Sequence, residues 1–127
     1  MKIAIMIVRI LLGLIFTVFG LNGFLQFIPV GSLPSGLAGQ YLTVLFQSHY
    51  VLFVSFFQVV GGALLLVNRY VPLGLAILAP IIVNILLYHF LLNLAGLPLA
   101  LTVTVFWIVL FFHYRQHFSG LFVQRAS

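Results

Sequence analysis

Residues 68–93 read NRYVPLGLAILAPIIVNILLYHFLLN, and this stretch limits the available folds more than any other. A single charge, Arg69, opens it, and about two dozen residues then pass with no other. That is the length needed to cross the hydrocarbon core of a bilayer as a helix. Pro80, Asn84, Tyr88 and His89 lie inside the run. In lipid each such group must find a partner within the protein, because no water is present to satisfy it.

The remainder of the chain has the same character. Of 127 residues, 65% are hydrophobic and 4% charged. A water-soluble domain carries about 25% charged residues, so the surface that would face water is missing. The length accommodates four spans with short connections, as one integral membrane domain. The expected fold class is all-α, a transmembrane four-helix bundle with a short interfacial helix between spans one and two.

The chain contains no Asp or Glu and no Cys. Carboxylate general bases, two-carboxylate mechanisms, the usual Mg²⁺ and Ca²⁺ ligands, disulfides and thiolate metal sites are therefore excluded. The net charge of +5 comes from five basic residues scattered along the chain, with no patch suited to a nucleic acid. His113 and His117 have metal-ligand spacing, and His49 and His89 share the outer end, but neither pair has a supporting motif. No catalytic set and no metal site is expected.

In chain order, spans are expected at about residues 5–27, 49–67, 71–93 and 98–114, with an interfacial helix, or a lid over the bundle mouth, at 36–47 and a tail at 115–127. The first run is too long for a signal-peptide core and is interrupted by Arg9. Lys2 and Arg9 are seven residues apart on one helix face, from which both can snorkel to a headgroup layer. Gly13, Thr17 and Gly20 follow as a small-residue stripe that admits a close neighbour. Residues 28–35 (IPVGSLPS) form a loop, residues 68–70 a tight turn, and Gly96-Leu97-Pro98 the boundary between spans three and four. The tail after residue 114 reads as an interfacial segment.

Four spans place the N-terminus, the second turn and the C-terminus on one side. Lys2, Arg9, Arg69, Arg115 and Arg125 all belong to that side. The positive-inside rule then makes both termini cytoplasmic, in a cell membrane of bacterial inner-membrane type.

Polar residues collect in the opposite, outer half: Asn22, Gln26, Gln58, Asn84, Thr102 and Thr104, with His49, Tyr88 and His89 near the interface. They are either hydrogen-bonded glue between helices or the lining of a small pocket. Pro80, which leaves the Ala76 carbonyl without its helical donor, would widen that half if it kinks the helix. Asn84 is expected to face a buried seam, and His89, turned about 140° from it, a different neighbour such as His49 or the 36–47 helix.

Laid out in this order, the residues resemble the DoxX-like family of small four-span membrane proteins, from Arg9 to about Phe122. The first span carries Arg9, Gly13, Phe16 and Gly20. The more specific match is GGALLLVNRYVPLGLAILAPIIVNILLYHF, residues 61–90. The resemblance implies a four-helix membrane bundle associated with a membrane oxidoreductase system, as an accessory or quinone-associated subunit. It implies a quinone as cofactor and a redox protein as partner, beside membrane lipid. Gln58 stands where an acidic residue is frequent in that family, so no proton-handling role is carried over to it. Asn22, Gln58, Asn84 and His89 are the candidate ligand- or partner-binding residues. A non-catalytic scaffold or assembly factor stays open as the alternative, an oligomer is compatible with either, and a small-solute carrier fits least, because no inverted repeat is visible.

Overall fold

The computed structural model describes residues 2–25 and 34–125. Helix α1 is Lys2–Leu25, α2 Gly36–Gln47, α3 Tyr50–Val67, α4 Val71–Leu91 and α5 Leu97–His113. A 3-10 turn, Leu94–Gly96, joins α4 to α5, and a 3-10 helix, Arg115–Phe122, follows α5. Among the described residues, four segments are long and apolar enough to cross a membrane, and no strand occurs. The chain is therefore an all-α, multi-pass membrane protein. Gln26 and most of the 28–35 loop lie outside the described residues.

Local sequence explains where the helices stop. Asn68 ends α3 in the left-handed region (φ 57°), with backbone N–H groups of the turn returning to Leu64 and Leu65 carbonyls. Tyr70 precedes α4 with φ 54°, and Pro72 falls in the first turn, where its missing N–H costs nothing. Pro98 occupies the same place in α5. α4 is continuous through Pro80.

The spans form a ring in the order α1, α3, α4, α5, closed by α5 against α1. Every adjacent pair in this ring is antiparallel. The closest pair is α1 and α3, and the expected small-residue stripe is what brings them together. A Cβ added at Gly13 would lie 2.9 Å from the Gly62 carbonyl oxygen, and one at Gly20 would lie 2.7 Å from Val59 Cγ2. The seam continues to α4, where a Cβ at Gly74 would come within 3.1 Å of the Gly61 carbonyl oxygen. Such approach maximises dispersion contact between backbones, the main attraction available between helices in lipid.

The core is concentrated at the end of the bundle that holds the start of α1, the α3–α4 turn and the end of α5. Leu12, Leu65, Leu75, Leu78 and Leu110 are sealed there, with Phe118 of the terminal 3-10 helix packed on Phe111. Trp107 stacks on Phe111 and donates its indole N–H to the Leu75 carbonyl at 2.9 Å, tying α5 to α4. Toward the other end, beneath α2, the packing opens.

Arg9 does not behave as the snorkelling reading expects. It is 8% exposed, and its Nη1 donates to the Leu65 carbonyl and reaches the Leu66 carbonyl at 3.4 Å. The guanidinium caps the last turn of α3, sharing the Leu65 carbonyl with the Asn68 N–H, where the negative end of the helix dipole attracts a cation. Of the two, only Lys2 stays exposed.

Candidate functional site

Three cavities lie side by side toward the α2 end and share lining residues. The first, about 470 Å³, lies under α2 between α3 and α4. Tyr41, Leu42 and Leu45 roof it, Val54 and Gln58 line one side, and Asn84, Ile85, Tyr88 and His89 the other. The second, about 410 Å³, lies at the bundle axis and is walled by Phe16 and Phe19 of α1 and by Leu99, Ala100 and Val103 of α5. Leu42, Gln58, Ile85 and His89 belong to both. The third, about 420 Å³, is a groove on the flank of α3 and α4 built from Phe53, Phe57, Ile77 and Pro80. It meets the first at Tyr50, Val54 and Ile81.

Gln58 sits on the divide between the first two chambers. Its α3 position opposite Gly20 brings its Cβ close against α1, because the glycine leaves the space. The amide beyond that point has no hydrogen-bond partner among the described residues. Asn84 is likewise without one. The expectation that Asn84 faces a buried seam is corrected: the residue is exposed and forms part of the chamber wall beside Tyr41 and Tyr88. Its neighbours Ile81 and Ile82 take the seam instead, since they are buried in the core cluster.

His89 lines the first two cavities, and its contacts are with the end of α4 and the turn that follows, which hold it from three sides. Nδ1 lies 3.0 Å from the Asn93 carbonyl, the ring meets Tyr88 edge to face at 5.0 Å, and the backbone of Gly96 lies against it. A carbonyl can only accept, so Nδ1 must carry the proton. In the neutral ring Nε2 is then an acceptor, and it has no protein partner among the described residues. Asn93 is fixed in turn, its Oδ1 accepting from the Ala95 N–H at 3.0 Å. Tyr88 also meets Tyr41 of α2, with ring centroids 5.5 Å apart. This aromatic pair anchors the roof.

Other polar residues of this half do not join the site. Asn22 is half-buried, already has an interaction of its own, and does not line the three cavities. Thr102 donates to the Pro98 carbonyl at 2.9 Å and Thr104 to the Ala100 carbonyl at 2.7 Å, so both hydroxyls are spent on their own helix. His49 is exposed at the start of α3 with φ 64°. Helical phase separates Leu37, Tyr41, Leu42 and Leu45 from the polar Gln40, Thr43 and Gln47 side of α2, and Tyr41, Leu42 and Leu45 are the ones that line the chamber.

The chambers therefore combine apolar walls, two open amides, one imidazole acceptor and no charged side chain. Such a site can orient an uncharged polar group by hydrogen bonds while apolar walls exclude water.

The chain is 32% identical over 123 residues to the uncharacterized protein YwoB of Bacillus subtilis (strain 168), covering 91% of this chain and 80% of that protein. No protein-family model matches the chain, and no solved structure matches it.

Proposed function

The chain belongs to the family of YwoB of Bacillus subtilis, and for this multi-pass membrane protein we propose that it holds an uncharged, long-tailed amphiphile in the chamber beneath α2. The observation that carries the reading is the pair of unpartnered amides, Gln58 and Asn84, in a chamber that borders an apolar groove on the bundle flank across Tyr50, Val54 and Ile81. Interhelical glue would leave no amide open. The polar head lies among Gln58, Asn84 and His89, and the tail follows Phe53, Phe57, Ile77 and Pro80 toward the bilayer. The lack of any charged side chain in the chamber disfavours a charged head, whose desolvation would go uncompensated.

The resemblance to DoxX-like proteins makes a quinone the first candidate, with the protein as an accessory subunit beside a membrane oxidoreductase. Both termini face the cytoplasm of a bacterial cell in this reading, because all five basic residues gather at the end opposite α2.

The test separates binding from scaffolding. Were the amides glue, Gln58→Leu and Asn84→Leu would each cost about 0.6–2 kcal/mol. With open amides, each variant should stay within about 0.5 kcal/mol of the parent, as surface changes do, while retention of the amphiphile through detergent purification falls. Loss of stability with unchanged retention refutes the reading in favour of a scaffold.

A further inference from the structure

The end of the bundle opposite the chamber carries a second feature. Arg9 is more than nine-tenths buried, and both of its hydrogen bonds leave from Nη1, to the Leu65 and Leu66 carbonyls. Nε and Nη2 have no protein partner among the described residues, and neither is sealed from the surroundings. These two nitrogens form one edge of the guanidinium, with parallel N–H groups spaced to meet two oxygens of one anion.

The protein offers no side chain to fill that edge, because the sequence contains no Asp and no Glu. A buried guanidinium without a counter-ion is costly, and carbonyl partners supply partial charge only. The surroundings are also positive: Lys2, Arg69 and Arg115 are all exposed at the same end, and Arg115 uses one nitrogen on the Phe112 carbonyl. No side chain of the protein can supply the missing anion. The last turn of α3 lies at the end of a span, next to the headgroup layer that borders the hydrocarbon core.

We propose that the Nε/Nη2 edge of Arg9 binds the phosphate of an anionic phospholipid, so that a lipid headgroup completes the α1–α3 junction. A phosphodiester supplies two oxygens to the fork and one net negative charge to a site that has none. A zwitterionic lipid brings the same phosphate with a cationic group that the neighbouring arginines repel.

Native mass spectrometry of the protein released from nanodiscs tests the site, using equimolar phosphatidylglycerol and phosphatidylcholine. Wild type should keep phosphatidylglycerol at about tenfold or greater preference, the range expected of a bidentate charge-assisted contact. Arg9→Lys keeps the charge and a donor for Leu65 but removes the fork, and should lose about that tenfold preference. Arg69→Lys, the charge-conserving control, should keep it. Equal retention of the two lipids by wild type, or an unchanged preference in Arg9→Lys, overturns the proposal. Should Arg9→Lys fail to fold, thermal unfolding of wild type in detergent decides. Stabilisation by phosphatidylglycerol, with none from phosphatidylcholine or inorganic phosphate, supports the site. Equal stabilisation by inorganic phosphate overturns a lipid as occupant, as does an acidic polypeptide copurifying in place of lipid.

Discussion

Replacing Gly62 tests whether the α1–α3 seam sets the geometry of the bundle. A Cβ at this position would lie 2.6 Å from Thr17 Oγ1, 2.8 Å from the Gly13 carbonyl oxygen and 2.8 Å from the Thr17 backbone nitrogen. Two of the three are backbone atoms of α1, so no rotamer change relieves the contact and the helices must separate. Overpacking of this kind costs about 1–3 kcal/mol. Alanine recovers about 0.8–1 kcal/mol over glycine in helix propensity, which leaves a net loss of about 1 kcal/mol for Gly62→Ala. Valine adds two further carbons to the same space, and Gly62→Val should lose about 2–3 kcal/mol. Gly120, where an added Cβ meets nothing within 4 Å, is the control, and Gly120→Ala should stay within about 0.5 kcal/mol of wild type. Reversible unfolding in mixed micelles with increasing dodecyl sulfate, followed by far-ultraviolet circular dichroism, gives the three values. A Gly62→Ala protein as stable as wild type would refute the close seam.

Two further substitutions address local features. Thr17 Oγ1 is buried with no hydrogen-bond partner among the described residues, so Thr17→Val removes an unmet polar group. It should be neutral or stabilising by up to about 1 kcal/mol in the same unfolding assay, and a loss above that size would mean the hydroxyl is bonded. Tyr70 is exposed and left-handed at φ 54°, a conformation that costs a residue with a Cβ about 1 kcal/mol. Tyr70→Gly should raise the unfolding midpoint by an amount corresponding to about 0.5–1 kcal/mol, and a lowered midpoint would contradict the strain.

The fold was readable because lipid leaves few solutions. Long uncharged runs can only be helices there, and Asn68, Pro72, Gly96 and Pro98 mark the breaks without ambiguity. The stripe at Gly13, Thr17 and Gly20 was equally plain, since close helix approach needs small residues at that spacing. Arg9 was misread for a definable reason. Its seven-residue spacing from Lys2 fixes the face they share, but only the packed structure reveals that the α3 C-terminus lies on that face.

The site was only partly readable. Hydropathy and helical phase place Gln58, Asn84 and His89 at one end, but they cannot say which amides are paired. Thr102 and Thr104 counted as polar in the sequence, yet each bonds to its own helix. Asn84 escaped the rule that polar groups in spans face other helices, because α2 supplies a roof that no property of α4 announces. The stretch of residues 68–93 accordingly divides by position: Ile81 and Ile82 pack the core, Asn84 and His89 line the chamber, and Pro80 lies on the groove beside it.

The proposed occupant of the α2 chamber is an uncharged amphiphile. Purification in mild detergent, solvent extraction and mass spectrometry of the bound lipids test it most directly, comparing wild type with Gln58→Leu. The account predicts one neutral-headed, long-tailed species enriched on wild type to near stoichiometry and depleted on the variant, with bulk phospholipid unchanged. Identical lipid profiles on the two proteins, with no neutral species enriched on either, would contradict it.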